Sequence, residues 1–220
     1  MIVKTLRSFT DNYIYLVSLD NSECFIVDPG ESSGVLAFLK KNKLVPKSIL
    51  ITHHHHDHVD GISSLMKEYP KIKVCGSFYD AQKSRIPHQT EFLSDGDEFD
   101  FMGNVCKVFS SPGHTLGHIC YLFVDKKTSQ RHWFVGDTVF GVGCGRVFEG
   151  SLEQMFQSLE RLKNSFQEND LIWSAHEYTK FNLEIFLKLN TKSAKLRREY
   201  ERLKRLSPYF LIKLFFFKKI

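Results

Sequence analysis

Seven consecutive residues, THHHHDH at 52–58, follow directly on the apolar run SILI. Alternate residues of an extended segment point the same way, so His53 and His55 can share one metal ion. Asp57 and His58 come where the chain would turn, and they can face a neighbouring ion. A polyhistidine tag is one alternative to a metal site, but a tag would lie at a terminus and would not continue into Asp-His. A histidine-rich surface loop is the other alternative, and it is weaker than the metal-site interpretation. The array therefore predicts a metal site at the end of a β-strand.

The composition limits the kinds of protein that this chain can be. With 220 residues, 42% hydrophobic and 25% charged, it can form one substantial core and resembles soluble globular proteins. A net charge of +5 suits an anionic small substrate or nucleic acid and does not choose between them. We find no secretory signal peptide and no apolar run of about 18 residues, so we expect no membrane partner. Five cysteines without a paired framework favour free thiols and a cytoplasmic protein.

Strand and helix signals indicate an α/β protein. We predict strands at 2–6, 13–17, 24–27, 48–51, 105–109, 119–124 and 133–135. Apolar spacing of i, i+3, i+4 and i+7 predicts helices at 62–69 and 152–162, the second opened by a capping box of Ser151 and Gln154. Strand signals stop near residue 180, and 182–206 looks wholly helical. The pattern predicts an α/β core with a short C-terminal helical appendage.

Three further segments place histidine or aspartate beside small turn residues. They are SPGHTLGH at 111–118, VGDT at 135–138 and SAHEY at 174–178. Each follows a strand-like run, where a rigid scaffold meets open space. Alone, each would more often be a structural turn than a ligand site. Beside the histidine array, each supplies a candidate ligand.

Two neighbouring metal sites follow from these ligands. The first set is His53, His55 and His114, the second is Asp57, His58 and His176, and Asp137 is a carboxylate able to bridge both. Adjacent cations that keep coordination positions open to water are typical of catalytic sites. The two ligand sets contain no cysteine, which disfavours a structural zinc cluster. We expect two divalent ions per chain, with zinc as first choice and iron or manganese also compatible.

The motifs THHHHDH, GHTLGH, GDT and AHEYT, in this order, resemble the metallo-β-lactamase superfamily. The segments DNYI at 11–14, DPG at 28–30, GCGRVFEG at 143–150 and HEYT at 176–179 narrow the resemblance to bacterial glyoxalase II, the hydroxyacylglutathione hydrolases. The likeness covers roughly residues 1–206. It implies an αββα sandwich at 1–177 with a two-metal site at the sheet edges, followed by a helical substrate-binding region at 178–220.

The same resemblance implies a thioester hydrolase that converts S-2-hydroxyacylglutathione, such as S-D-lactoylglutathione, to glutathione and a 2-hydroxy acid in methylglyoxal detoxification. Two cations sharing a water lower its pKa from about 15.7 towards about 7, and the resulting hydroxide can attack the thioester carbonyl. The leaving thiolate, whose conjugate acid has a pKa of about 8.5, needs little help from an acid. We assign catalytic roles to Asp57, which would orient the hydroxide, and to Asp137.

Three residues near the predicted site bear on substrate binding, and a fourth, Cys144, is a possible nucleophile. By resemblance, Arg146 contacts the glycine or thiol region of glutathione and Tyr178 hydrogen-bonds the substrate. The alternatives are a surface arginine and a tyrosine packed beneath the appendage. Phe148 stands at a substrate-binding position where some relatives carry tyrosine, so a hydroxyl contact is absent there. Cys144 lies between two glycines without an activating base beside it, and we interpret it as a small turn residue.

Five other residues are expected to support the site. His54 and His56 should point away from the metals, towards surrounding protein or solvent. His118 should be a buried, hydrogen-bonded histidine rather than a further ligand. Asp28 either braces the metal-binding loop or forms a plain turn. Asp60, where relatives usually carry glycine, would be mildly strained if the position needs a positive φ.

The C-terminal segment departs from the family pattern. After about residue 206 the chain continues as SPYFLIKLFFFKKI, which predicts a truncated or altered substrate-binding region. A basic run between 192 and 205 could replace lost contacts to glutathione carboxylates, although a solvated helix face is the simpler interpretation. Besides the thioester hydrolase, we keep two hypotheses: another hydrolase of the same fold, such as a nuclease or lactonase, and a member with impaired substrate binding. Because aromatic and basic residues do not interleave, we expect no nucleic-acid partner, and we expect a monomer.

Overall fold

A computed structural model describes residues 1–18, 22–101, 103–189 and 194–204. One sheet contains six strands in sequential order: β1 (Ile2–Ser8), β2 (Asn12–Ser18), β3 (Glu23–Val27), β4 (Val45–Leu50), β5 (Lys73–Ser77) and β6 (Glu91–Leu93). The first three strands pair antiparallel, and β3 to β6 pair parallel. Parallel pairing sends the ends of β3, β4 and β5 to one edge of the sheet, where the histidine array begins.

The second sheet contains five strands, in the order β13-β10-β9-β8-β7. They are β7 (Glu98–Phe101), β8 (Asn104–Ser110), β9 (Ile119–Val124), β10 (Arg131–Gly136) and β13 (Leu171–Ser174). The pairing is antiparallel except between β10 and β13, which run parallel. A short hairpin of β11 (Val139–Phe140) and β12 (Gly143–Cys144) follows β10.

Seven helices lie in the described part of the chain. They are α1 (Ser33–Asn42), α2 (His56–Val59), α3 (Ile62–Glu68), α4 (Phe78–Ala81), α5 (Leu152–Ser165), α6 (Thr179–Leu189) and α7 (Ala194–Lys204). Helix α5 begins with the predicted capping box, in which Ser151 and Gln154 each accept the other's backbone N–H. None of the described helices is long and apolar enough to cross a membrane.

Three apolar clusters define four layers. The central cluster lies between the sheets and is rich in aromatic rings, with Phe25 of the first sheet stacked on Phe123 of the second at 4.5 Å between centroids. A second cluster packs α1 and α3 against the outer face of the first sheet. A third packs α5, through Leu162, against Trp133 and its neighbours on the second sheet. The predicted αββα sandwich is therefore confirmed.

The local sequence patterns predict the longer apolar strands and miss the shorter strands and helices. Every predicted strand is a strand in the structure, whereas β5, β6, β7, β11, β12, α1, α2 and α4 are not predicted. The missed strands have at most five residues, which is too short for a clear strand signal even in β7, where EFDF alternates polar and apolar side chains. Helix α1 buries only Val35 and Leu39, which is too short a signal for helical periodicity.

The C-terminal helical region is described only in part. Helices α6 and α7 contact each other, and the Tyr200 hydroxyl donates to Glu184 at 2.6 Å. Residues 190–193, within the segment predicted as wholly helical, and the tail after 204 lie outside the described residues. Arg197 and Arg198 of the basic run are exposed on α7. The domain boundary between 177 and 178 stays a prediction, and α6 begins next to it.

Candidate metal centre

The seven predicted ligands meet at one edge of the sandwich. Their ligand atoms form three overlapping groups, each with all atoms within 4.8 Å of one another: His53, His55 and His114; His53, His58 and Asp137; and Asp57, His58 and His176. The first two histidines leave the end of β4, and Asp57 and His58 lie on α2. Segments that follow β8, β10 and β13 supply His114, Asp137 and His176. Both sheets therefore contribute to the centre.

Backbone contacts hold these segments in place. The N–H of Ile119 donates to the carbonyl of Thr52 at 2.9 Å, which joins the second sheet to the histidine array. The N–H of Ala175 donates to the carbonyl of Gly136 at 3.1 Å, so His176 and Asp137 leave neighbouring strand ends. Gly136 has φ +49, and a Cβ on it would lie 2.4 Å from Thr52 Oγ1. The two sheets can approach this closely only because that residue has no side chain.

The first three histidines are arranged to point their lone pairs together. His53 Nε2 and His114 Nε2 each lie 3.0 Å from His55 Nδ1. The carbonyl of Arg146 accepts a hydrogen bond from His114 Nδ1 at 2.7 Å. Thr52 Oγ1, which donates to Asp28, can accept one from His53 Nδ1 at 3.1 Å. These partners select the tautomer of His53 and His114 that leaves Nε2 unprotonated for a metal ion, whereas His55 faces them with Nδ1.

Burial keeps this group neutral. Desolvation lowers the pKa of His53 well below its usual value and lowers the pKa of His55 to about 4. The pKa of His114 is also lowered, mainly by desolvation. A neutral imidazole is the form that binds a metal ion. The first set is therefore ready for a cation at neutral pH.

The second set is surrounded by carboxylates. His176 Nδ1 donates to Asp11 Oδ1 at 2.8 Å, and its Nε2 lies 3.3 Å from Asp57 Oδ2. His58 Nδ1 lies 3.1 Å from Asp28 Oδ2, and its Nε2 lies 3.5 Å from Asp57 Oδ2. Burial opposes protonation of His176, but the neighbouring carboxylates outweigh it and raise its pKa to about 10. Concentrated negative charge of this kind needs a positive partner, either protons or a metal ion.

Asp137 lies between the two sets. Its Oδ2 is 3.3 Å from His114 Nε2, and its Oδ1 is 3.4 Å from His176 Nε2 and 3.6 Å from His58 Nε2. Burial favours the neutral acid, but the charge of His58 outweighs it and lowers the pKa of Asp137 to about 2. A carboxylate in this position can bind two ions, one through each oxygen.

Two buried polar atoms support a metal ion at this centre. Among the described residues, His58 Nε2 and Asp137 Oδ1 have no hydrogen-bond partner, although both are inaccessible to solvent. Buried polar atoms are normally satisfied, so a pair aimed at the same place calls for another partner. Nitrogen and carboxylate donors with no thiolate suit divalent zinc, iron or manganese. The donor set therefore fits the two divalent ions that we expect.

Acidic and amide side chains outside the ligand set brace the ligands. Asp28 accepts hydrogen bonds from the Thr52 N–H and hydroxyl at 2.8 and 2.7 Å, so it braces the metal-binding loop and does not form a plain turn. Asn12 donates its side-chain N–H to Asp57 Oδ2 at 2.7 Å. The contacts of Asp11 and Asn12 are not predicted from sequence, because polar residues before a strand read as an ordinary turn. Only the family resemblance singled them out.

The other histidines lie largely as expected. His118 is buried, its Nδ1 is 2.8 Å from Ser111 Oγ, and its Nε2 accepts the Asp137 N–H at 3.1 Å. The side chain of His56 is 94% exposed, whereas His54 lies between Asp80 and Glu149. The possibility of strain at Asp60 is excluded, because its φ is −64° and it continues the helical turn after α2.

Aromatic and basic side chains form a rim beside the centre. The ring of Phe148 is 60% exposed and lies 5.5 Å from the ring of His55 and 5.3 Å from that of His114. The guanidinium of Arg146 lies over Phe148 at 5.3 Å. The Tyr178 ring stacks on His176 at 5.0 Å with an interplanar angle of 7°. These three side chains lie beside the two ligand sets.

Cys144 does not have the environment of a catalytic nucleophile. It is exposed in the hairpin of β11 and β12, and partial burial raises the pKa of its thiol. A raised pKa lowers the fraction of reactive thiolate. All five cysteines are free thiols, and the other four are buried. The interpretation of Cys144 as a turn residue is wrong, because Cys144 lies in β12 and pairs with Val139 of β11, but the structure agrees that it is not an activated nucleophile.

Sequence and structure comparisons give consistent results. Residues 8–166 match the profile of the Metallo-beta-lactamase superfamily. A hydroxyacylglutathione hydrolase from Klebsiella pneumoniae is 44% identical over 84% of this chain and 69% of its own length. One from Salmonella dublin is 39% identical over 94% of this chain and 78% of its own length. The crystal structure of TTHA1623 in a di-iron-bound form has a TM-score of 0.61 and 26% identity, covering 80% of this chain and 92% of that one.

Proposed function

The chain belongs to the hydroxyacylglutathione hydrolases of the metallo-beta-lactamase superfamily, and from this premise we propose that it hydrolyses S-2-hydroxyacylglutathione thioesters, S-D-lactoylglutathione in particular. The products would be glutathione and a 2-hydroxy acid, as in methylglyoxal detoxification. The observation that carries the proposal is the convergence of two ligand sets on one bridging carboxylate, Asp137, beside an open rim.

In this proposal the chain holds two divalent ions, and zinc is our first choice. His53, His55 and His114 would bind one ion, Asp57, His58 and His176 would bind the other, and Asp137 would contact both. When bound, two such cations supply a water that ionises near neutral pH and a positive charge for the carbonyl oxygen. The di-iron-bound form of the structural relative TTHA1623 supports a two-ion centre.

Asp57 would orient the attacking water. Asn12 donates to Asp57 Oδ2, which fixes the plane of the carboxylate. Burial favours the neutral acid, but the neighbouring imidazoles of His176 and His58 outweigh it and hold the pKa of Asp57 far below its usual range. An oriented carboxylate that stays ionised can accept a hydrogen bond from the water and align it with the carbonyl carbon. Expulsion of a thiolate, whose conjugate acid has a pKa of about 8.5, needs no acid from the protein.

The rim would bind the glutathione part of the substrate. Arg146 is exposed and positively charged, so it can pair with a carboxylate of glutathione. Phe148 offers an apolar surface beside the first ligand set, and it has no hydroxyl to donate. Tyr178 stacks on His176, so its phenol would be available to hydrogen-bond the substrate beside the second ligand set. We place the catalytic domain at 1–177 and the substrate-binding region at 178–220.

The cellular setting completes the proposal. We infer a cytoplasmic enzyme that acts as a monomer, because both sheets and all seven ligands come from one chain. The substrate is a small anionic thioester, and nucleic acid and membrane are not partners. Free thiols at all five cysteines are compatible with a reducing compartment.

The decisive experiment is thioester hydrolysis by the purified, zinc-loaded protein. We expect release of glutathione thiol from S-D-lactoylglutathione, loss of the activity with a chelator, and its return with zinc. A lactone, a β-lactam and a single-stranded RNA serve as competing substrates for the other hydrolase hypotheses. Normal kcat with a much raised KM would indicate impaired substrate binding. No thioester turnover at any substrate concentration would refute the proposal.

A further inference from the structure

A second cluster of charged side chains lies behind the metal centre. Its deepest member is Asp80 of α4, a fully buried carboxylate that is not a predicted ligand. Ser77 Oγ donates to Asp80 Oδ2 at 3.1 Å, but neither Asp80 Oδ1 nor His54 Nδ1 makes a hydrogen bond among the described residues, so the two atoms meet as a close polar contact. Asp80 Oδ1 lies 3.2 Å from His54 Nδ1 and 3.6 Å from Arg85 Nη1. A buried carboxylate is costly unless such partners compensate its charge.

Glu149 is the outer carboxylate of the cluster. Its two oxygens accept hydrogen bonds from Arg85 Nη1 at 2.9 and 3.1 Å. The backbone N–H of Leu116 also donates to this carboxylate, at 2.9 Å. The other ring nitrogen of His54, Nε2, lies 3.5 Å from Glu149 Oε1. One imidazole thus faces two carboxylates, with Asp80 at Nδ1 and Glu149 at Nε2. This arrangement is built by four side chains from distant parts of the sequence.

The cluster joins the segments that carry the ligands to the segment that carries the rim. His54 stands between the ligands His53 and His55 in sequence. Glu149 follows Phe148 in the chain. The backbone N–H of Phe148 donates to the carbonyl of His114 at 3.1 Å, and that of Glu149 donates to the same carbonyl at 3.3 Å. A Cβ on Gly117 would lie 2.5 Å from the Asp80 carboxylate, so the loop after His114 also packs against the cluster.

We propose that His54 is a positioning residue that links the metal-binding segment to the substrate-side loop. Its Nδ1 contact with Asp80 holds the backbone between His53 and His55 on the rigid base of α4. Its Nε2 contact with Glu149 holds the loop of Arg146 and Phe148 over the centre. The substrate-side half of this inference rests on the proposed function, whereas the metal-side half does not.

Two conservative substitutions separate the two contacts. Asparagine places its amide nitrogen near the position of Nδ1, so His54→Asn keeps a donor towards Asp80 and loses the contact with Glu149. Glutamine reaches the position of Nε2, so His54→Gln keeps a donor towards Glu149 and loses the contact with Asp80. His54→Ala loses both. Glu149→Gln removes the charge of the outer carboxylate while preserving its shape, and it should behave like His54→Asn.

The first readout is zinc affinity, measured by competition with a chromophoric chelator and without any substrate. Outer partners of metal ligands typically contribute about 10- to 100-fold in affinity. We expect His54→Gln and His54→Ala to lose about 10-fold or more, and His54→Asn to stay within about 3-fold of wild type. The matched control is His56→Ala, because His56 belongs to the same array but is 94% exposed. It should leave zinc affinity unchanged.

The second readout is KM against kcat for S-D-lactoylglutathione at saturating zinc. We expect His54→Asn and Glu149→Gln each to raise KM about 5- to 10-fold with little change in kcat, because they remove uniform binding. The double variant of His54→Asn and Glu149→Gln should have a KM no higher than that of either single variant, because both substitutions break the same link. His54→Gln should keep KM near the wild-type value.

Two results would overturn the inference. If the asparagine and glutamine variants show the same zinc affinity and the same KM, the two contacts are not separate links. If all His54 variants lower Tm but match the wild type in zinc affinity and KM, the cluster has only a structural role. Failure of the proposed function is a different result, namely no thioester turnover by the wild type. In that case the zinc affinities of the glutamine and asparagine variants still decide the metal-side half.

Discussion

At the scale of single residues, the tautomers of the histidines carry the most information. His53, His114 and His176 each have Nδ1 beside a fixed oxygen, which leaves Nε2 for the centre. Those oxygens belong to a hydroxyl, a backbone carbonyl and a carboxylate. No single sequence motif therefore predicts the hydrogen-bond partners of these histidines. The ligand types are evident from the sequence, but which nitrogen each histidine presents is a property of the folded protein.

The residue with the largest expected effect is Asp137. Asp137→Ala should lower bound zinc from two ions to about one per chain and reduce kcat/KM at least about 100-fold, because the one carboxylate among the described residues that contacts both ligand sets is lost. Elemental analysis and thioester kinetics measure the two effects. Asp60→Ala is the matched control, since Asp60 lies near the array but on the surface. Full metal content and a normal rate in Asp137→Ala would contradict the bridging role.

Val142 is strained in the turn between β11 and β12. Its φ is +60°, a conformation that a β-branched side chain rarely adopts. Val142→Gly should stabilise the protein by about 0.5–1 kcal/mol, the relief of strain being partly offset by the entropy of glycine. Val142→Ala keeps a Cβ and should gain less. Urea unfolding of both variants measures the difference, and a Gly variant less stable than the Ala variant would disprove the strain.

At the scale of elements, a pair of charges ties α5 to the second sheet. Asp95, before β7, lies 2.8 Å from Arg161 of α5 and accepts the Ser110 N–H at 2.8 Å. Burial alone would raise its pKa, but these partners outweigh burial and lower it from 3.8. A lowered folded-state pKa means that the pair stabilises the protein above about pH 4 and that this contribution is lost as the pH falls.

Asp95→Asn therefore has a pH-dependent effect. The side chains of Asp95 and Arg161 are 45% and 43% exposed, so solvent screening limits the loss to about 0.5–1 kcal/mol at pH 7. The difference from wild type should shrink between pH 5 and pH 3, as measured by urea unfolding across that range. Glu160→Gln, which removes an exposed pair within α5, is the control and should change less. A loss that is constant with pH would argue against the ion pair.

At the scale of the whole molecule, the metal centre joins the two sheets at one edge of the sandwich. Ligands arrive from the segments after β4, β8, β10 and β13. We expect chelation to lower Tm, because an ion present at 100 times its dissociation constant contributes about 2.7 kcal/mol to the folded state. For a chain of this size the expected shift is about 5–10 °C. Differential scanning fluorimetry before and after chelation, with re-addition of zinc, measures it; equal Tm values would mean that the edge is rigid without ions.

Local patterns account for much of this architecture. The apolar strands and the capped helix α5 are predicted because period-two and period-3.6 spacing act over neighbouring residues. The residues of the ligand set are also predicted, because histidine and aspartate at strand ends have few other uses in such density. The short strands β5 and β6 are not predicted, since their parallel partners lie further away along the chain, and β7 is missed because it has only four residues.

The amino-acid sequence by itself predicted an α/β core with candidate metal ligands at its strand ends, and its family resemblance implied the sandwich and a two-metal site. Only the tertiary structure decided which atoms face the centre, what braces them, and that Asp80 and Glu149 flank His54. The physical reason is the distance along the sequence over which each effect acts. Secondary-structure propensity and ligand chemistry depend on single residues and their near neighbours. Burial, tautomer choice and charge compensation depend on residues up to 165 positions apart, as in the pair of Asp11 and His176.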